Sequence, residues 1–186
     1  MPKWNAETAE WYAANYGDYP TNRLAVDHLD LPASSTIVDI GCGTGAALRH
    51  AARKVRAGNL IGIDPVPRMI EIACELTENR SAQERITFIV GSAEALPIDK
   101  DCADVVFAFD SVDHWQDVRQ GLREIRRVLR PVGNLVIVKD RGVPGAQAAL
   151  KILGETLKSS GFDLFDENEI SSGDVSFALW ILGLRG

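Results

Sequence analysis

Cysteine is scarce in this chain. Cys42, Cys74 and Cys102 are three in 186 residues, an odd number, widely spaced and without a C-x-x-C pair. The pattern argues against a disulfide framework or a zinc knuckle and reads as the reduced thiols of an intracellular protein. Long hydrophobic runs are also missing. No stretch approaches the roughly 18 apolar residues of a membrane helix. The N-terminus, Met-Pro-Lys-Trp-Asn-Ala-Glu, lacks the apolar centre of a signal peptide. A cytoplasmic protein with no membrane partner is therefore expected. Net positive charge is absent as well: the formal net charge is −6. A general affinity for nucleic acid needs a basic surface, so none is expected. Repeats, low-complexity tracts and long linkers do not occur. The remaining composition, 46% hydrophobic and 25% charged, suits one domain over residues 1–186.

What the chain does have is Thr36-Ile-Val-Asp-Ile-Gly-Cys-Gly-Thr-Gly45. An apolar, β-branched run ends in three glycines at alternate positions, and the helical pattern Ala46, Ala47, Leu48, Ala51, Ala52 follows at once. This reads as a buried strand, a tight turn and a helix start. Glycine permits positive φ and lets a ligand approach the backbone. The free N–H groups of a helix start favour an electron-rich ligand group. A nucleotide-type site is the first inference.

The rest of the chain alternates. Helical spacing over 5–17 is given an aromatic character by Trp4, Trp11, Tyr12 and Tyr16; Gly17, Asp18 and Pro20 break it before a second helix at 22–29. After a turn at 32–35, strands are expected at 36–40, 60–64, 86–90, 103–109 and 135–138. Helices are expected at 45–55, after Pro65 and Pro67, along the stripe Val118, Leu122, Ile125, Leu129 up to Pro131, and at 145–159. Strands near 162–169 and 175–183 close the chain, too near each other for a crossover and so antiparallel. The fold class is α/β: a doubly wound, mostly parallel seven-stranded sheet with an antiparallel last strand and helices on both faces.

In such a sheet ligands bind at the carboxyl ends of the strands, near the switch in strand order. The residues there carry chemistry. Strand two ends on Asp64, 23 residues beyond Gly41, where a carboxylate can accept from both ribose hydroxyls. Strand three is followed by Gly91-Ser-Ala-Glu-Ala-Leu-Pro97, and strand four by Asp110-Ser-Val-Asp-His-Trp115.

These stretches resemble the motifs of class I, Rossmann-like S-adenosylmethionine-dependent methyltransferases. Val38-Asp-Ile-Gly-Cys-Gly-Thr-Gly45 looks like the first motif, Gly62-Ile-Asp-Pro-Val-Pro-Arg-Met69 the second and Gly91-Ser-Ala-Glu-Ala-Leu-Pro97 the third. The stretch 103–115, and Leu122-Arg-Glu-Ile-Arg-Arg-Val-Leu-Arg-Pro-Val-Gly-Asn-Leu-Val-Ile-Val138, resemble the fourth and the segment after it. One glycine motif is weak; four in register are specific. The resemblance divides the chain into an N-terminal helical cap, 1–30, and a Rossmann-like core, 36–186.

Carried over position by position, the resemblance implies that Gly41, Gly43 and the backbone at Cys42 pack against the methionine part of S-adenosylmethionine. Asp39 would anchor the glycine turn or, through water, the cofactor amine. Asp64 would hold the ribose diol, with Pro65 and Met69 bordering the adenine. Ala93 would offer a backbone N–H to the ring, and Phe109 and Asp110 would lie near the methionyl amine. Ser92 stands where the family often has an acidic residue on the adenine amino group; a hydroxyl accepts more weakly than a carboxylate. Pro131-Val132-Gly133 replaces the family's Pro-Gly-Gly, and a type I turn ending on Gly133 is expected. The implied activity is transfer of the sulfonium methyl to an acceptor, most simply a small molecule, leaving S-adenosylhomocysteine. The protein must align a nucleophile, exclude water and, where needed, take a proton. No metal is required.

Several residues keep two readings. His114 suits a general base near neutral pH, or caps a helix, or orients a loop. Tyr12 and Tyr16, four apart and on one face, either help form the substrate pocket or simply pack. Trp115 reads as packing under its loop. Asp113 and Asp140, beside Asp110, match no tight metal-ligand spacing and read as solvated. Arg119, Arg123, Arg126, Arg127 and Arg130 read as a solvated face. Gly41-Cys-Gly-Thr-Gly-Ala46 also satisfies GxGxxA, which keeps an NAD(P)-dependent oxidoreductase as an alternative; a non-catalytic S-adenosylmethionine-binding subunit is another. The connection at 139–145 is short where related enzymes place a long lid. The site is therefore expected to be open on that side, admitting part of a large acceptor, or closed by the N-terminal helices or by a second subunit, a homo-oligomer being one such arrangement.

Overall fold

Strand and helix alternate through most of the chain, and this alternation builds the sheet. The computed structural model describes residues 4–78, 83–142 and 145–186. Two helices come first, α1 (Ala6–Tyr16) and α2 (Pro20–His28). Then follow β1 (Ile37–Ile40), α3 (Ala46–Ala51), β2 (Leu60–Asp64), α4 (Pro67–Thr77), β3 (Ile86–Val90) and β4 (Ala103–Phe109). The order ends with α5 (Val118–Val128), β5 (Leu129–Asp140), α6 (Ala146–Ser159), β6 (Phe162–Ser172) and β7 (Val175–Leu184).

The seven strands lie in the order β3-β2-β1-β4-β5-β7-β6. The first five are parallel; β7 is antiparallel to both β5 and β6. The order reverses between β1 and β4, so a crevice opens at their carboxyl ends.

Alternation along the strands splits the core. One face buries Val38, Ile40, Val106, Leu135, Ile137 and Trp180 against Leu122, Ile125 and Val128 of α5 and Leu150, Leu153 and Leu157 of α6. The other buries Ile37, Leu60, Phe107, Val136 and Phe177 against Ala25 and Val26 of α2 and Ala47, Leu48 and Ala51 of α3. A smaller cluster joins Ala9 of α1 to Val66, Met69 and Ile72 at α4. Helices thus cover both faces.

Some boundaries differ from the sequence reading, each for a local reason. Pro20 does not break a helix; it occupies the first turn of α2, where its missing N–H costs nothing. Helix α3 stops at Ala51, because Arg53 and Lys54 bond to His50 and Ala51 in tighter i−3 turns. Leu129 is not the last residue of α5 but the first of β5, opposite Ala103. The next pair is Val105 with Asn134, so residues 130–133 loop out of the ladder without leaving the strand. Gly133 is needed there for space, since a Cβ would sit 3.0 Å from the carbonyl oxygens of Ala103 and Asp104. Three of the five arginines also make structural contacts: Arg126 of α5 donates to the carbonyl of Gly161, Arg127 of α5 to those of Leu96 and Ile98, and Arg130 of β5 pairs with Asp104. No helix among the described residues is long and apolar enough to cross a membrane.

Leu122 is fully buried and its neighbour Arg123 is exposed. Leu122→Ala should lower stability by about 2–5 kcal/mol, and Arg123→Ala by less than about 0.5 kcal/mol. Urea unfolding of the two variants measures the difference.

Candidate functional site

The crevice between β1 and β4 starts with the glycine turn. Gly41, Gly43 and Gly45 have φ of +72°, +52° and +77°. L-residues with side chains rarely adopt these angles, so the turn requires glycine at alternate positions. At Gly41 there is a second constraint: a Cβ would lie 2.5 Å from Cβ of Ser111. Ser111 is drawn this close because its hydroxyl donates to the carbonyl of Ile40 at 2.6 Å.

Asp64, at the end of β2, holds the turn. One carboxylate oxygen accepts from Gly43 N–H at 3.1 Å and the other from Val66 N–H at 2.9 Å. Burial raises its pKa, and those two bonds oppose the rise.

Asp39, on β1, is only 2% exposed. No hydrogen bond from the described residues reaches its carboxylate. Burial first, and the charge of Asp64 second, push its pKa up to about 8. Asp110, at φ +51° after β4, accepts from the backbone N–H of Asp140 at 2.7 Å. Burial lifts it to about 6 against that bond and the charge of Lys139. Tyr12 reaches over from α1, its Cε1 3.6 Å from where a Cβ on Gly43 would sit. Burial, then Asp110, Asp64 and Asp39, push its phenol up to about 12.

These groups border a cleft enclosing about 810 Å³ of space, part of it open to solvent. Gly41, Gly43, Asp64, Pro65, Met69, Ser92, Ala93, Phe109, Asp110, Tyr12 and His114 all line it. Asp39 lies beneath the lining rather than in it. The Cys42 thiol is buried and turns toward Gly62, where a Cβ would come within 2.9 Å of its sulfur, leaving only backbone for the turn. Tyr16 is outside the cleft, its ring against those of Trp11, Tyr12 and Tyr19. Asp113 is ion-paired with Lys139, and Asp140 receives Gly142 N–H at 2.7 Å. Among the described residues no group of His, Cys, Asp and Glu is arranged to hold a metal ion. The connection at 139–145 lies partly outside the described residues.

Several lining residues were not singled out as site residues from the sequence: Trp4, Glu94, Ser111 and Gln116. Trp115 also lines the cleft besides packing under its loop, 2.6 Å from where a Cβ on Gly121 would sit. Glu94 accepts from Gln116 N–H at 2.7 Å and Asp117 N–H at 3.1 Å and so fastens the loop after β3 to that after β4. Burial raises its pKa, but those donors and the Ser92 hydroxyl bring the net shift downward.

The fold and cleft together define an α/β protein with a cleft at the topological switch of a doubly wound sheet. The chain belongs to the methyltransferase-domain family, whose match spans residues 38–137. Methyltransferase GfsG of Streptomyces halstedii is 33% identical over 124 residues, covering 67% of this chain and 44% of GfsG. The uncharacterized methyltransferase YcgJ of Bacillus subtilis is 30% identical over 115 residues, covering 62% of this chain and 44% of YcgJ. This chain thus spans less than half the length of these curated relatives. The crystal structure of a SAM dependent methyltransferase from Aquifex aeolicus shares the fold, with a TM-score of 0.80 over 98% of this chain and 100% of that one at 16% identity. Family membership favours a methyl donor over the nicotinamide alternative.

The raised pKa of Asp39 has a pH signature. Its unfolded value is about 4 and its folded value about 8. Between them the folded state holds the extra proton, so its contribution to stability falls as pH rises through that window and is level on either side. Asp39→Asn removes this dependence. In urea titrations the variant should match the wild type most closely near pH 4 and gain on it steadily toward pH 8; a variant that loses ground as pH rises contradicts the assignment.

Proposed function

We propose that this chain binds S-adenosylmethionine in the cleft and transfers its methyl group to a small-molecule acceptor. The observation that carries the reading is Asp39: an acid 2% exposed, on the strand that leads into the glycine turn, with no hydrogen-bond donor among the described residues and a proton that burial helps it keep until a positive charge is placed nearby. Such a group suits a ligand that brings positive charge, directly or through water. S-adenosylmethionine carries an ammonium and a sulfonium, and when bound it supplies an activated methyl group.

The residues fit the rest of such a ligand. Asp64 uses one lone pair of each oxygen on backbone N–H groups and keeps others for a ribose diol. Pro65 and Met69 offer apolar surface for an adenine, with Ala93 N–H and the Ser92 hydroxyl at the other side. Phe109 and Asp110 close the end where the methionyl amine would lie. Tyr12 and its helix cover the glycine turn, which supports the N-terminal helices, 1–30, as a cap over the core of 36–186 and a means of excluding water. His114 is held below its ordinary pKa, chiefly by burial and further by Lys139 against the opposing pull of Asp113. It therefore stands neutral near pH 7, able to take a proton. The three unpaired thiols support a reducing, cytoplasmic setting.

Calorimetry on the purified chain tests this. S-adenosylhomocysteine should bind, and Asp64→Asn should weaken it about 10–100-fold, the worth of a charge-assisted hydrogen bond pair. Binding of NADH without S-adenosylhomocysteine would overturn the reading.

A further inference from the structure

The cleft wall contains an aromatic corner built from three chain segments. Trp4, ahead of α1, meets His114 edge to face, with ring centroids 5.5 Å apart and planes at 81°. It meets Tyr12 of α1 in the same manner at 5.6 Å and 70°. All three rings line the cleft. The ionisable acids lining it are Asp64, Asp110 and Glu94, and no lysine or arginine among the described residues does so. Lys139, the cation acting on Asp110 and His114, is ion-paired with Asp113.

Ring faces carry partial negative charge and attract cations, most strongly where water is excluded. Carboxylates in the same cleft act in the same direction and repel anions. A phosphate or carboxylate acceptor would meet this wall with like charge, and an alcohol would gain nothing from its field. Resting on the methyltransferase reading, we propose that the acceptor is a small amine, held as its ammonium form against the corner of Trp4, Tyr12 and His114.

The chemistry then needs a proton acceptor. The ammonium must first lose a proton, and the neutral imidazole of His114, the weaker base of the two, takes it only in passing and relays it toward solvent. The freed nitrogen lone pair then forms the new bond to the methyl carbon of the sulfonium donor, whose carbon–sulfur bond breaks with its electron pair going to sulfur. The imidazolium so formed has Asp113 beside it as a favourable charge and returns its proton to solvent.

The test uses the whole chain saturated with S-adenosylhomocysteine. Primary and secondary amines are titrated beside alcohols and carboxylates of the same skeletons, with phenethylamine, 2-phenylethanol and phenylacetate as one such trio. Binding is read by calorimetry and ligand-observed NMR. At least one amine should bind ten times more tightly than its matched alcohol and acid. Trp4→Ala should weaken that amine about tenfold, and Trp4→Phe should recover most of the loss. An alcohol or acid that binds as well as its amine, no binding by any amine, or an unchanged affinity in Trp4→Ala overturns the proposal while S-adenosylhomocysteine still binds. If S-adenosylhomocysteine does not bind, the methyltransferase reading falls, and this proposal with it.

Discussion

The two oxygens of Asp64 fix the geometry on which the site depends. Each accepts one backbone N–H, from Gly43 in the turn after β1 and from Val66 at the start of α4. One side chain thus sets the distance between two adjacent strand ends. Three alternating glycines at positive φ have no preference of their own for this path. The bond to Gly43 selects it, and the Ser111 hydroxyl on Ile40 secures the other flank. Because carboxylate bonds to backbone N–H are charge-assisted, the arrangement is stiff before any ligand arrives.

The N-terminal helices are tied to this same frame. Thr44, inside the glycine turn and buried, donates its hydroxyl to the carbonyl of Gly17 at 2.6 Å, at the junction of α1 and α2. Arg68 of α4 joins Glu10 of α1 at 2.6 Å while also holding Glu71 and Glu75. That exposed network adds little stability in water. The apolar contact of fully buried Ala9 with Val66, Met69 and Ile72 does more. Tyr12 is carried over the turn as a consequence, and any displacement of α1 is felt at Gly43 and Asp64.

The legible parts of the sequence were those whose signals are local. A β-branched strand, alternating glycines and an acidic strand end each depend on a few neighbouring residues, so the path from Thr36 to Asp64 could be read directly. The antiparallel pairing of β6 and β7 followed from the short span between them, which holds no helix; the insertion of β7 between β5 and β6 did not. The site residues that escaped notice are brought in by distant contacts. Trp4 gains its place only by meeting His114, which stands more than a hundred positions away. Glu94 matters because it binds the backbone of Gln116 and Asp117, which no spacing rule foretells. Tyr16 shows the converse: helical spacing put it with Tyr12, yet the cleft takes one ring and leaves the other in a surface aromatic cluster. Arg126 and Arg127 read only as part of a charged face because sequence cannot reveal the carbonyl groups of residues 96, 98 and 161 to which they donate.

The acids of the cleft work against the free protein. Asp39, Asp64 and Asp110 all have raised pKa values with burial as the leading cause, and Tyr12 answers to the charge of all three. Natural folds avoid such clusters unless something offsets them, so local disagreement of this kind marks a site of function. Sequence already showed the acids; only the fold shows that they converge where no lysine or arginine among the described residues lines the cleft, Lys139 nearby being paired with Asp113. On the proposed reading, a ligand bearing positive charge supplies what the fold withholds, and its binding adds stability that grows with the logarithm of its concentration over its Kd. The same field extends to the wall formed by Trp4, Tyr12 and His114. The polarity that suits a sulfonium donor therefore also selects the charge of what can sit beside it.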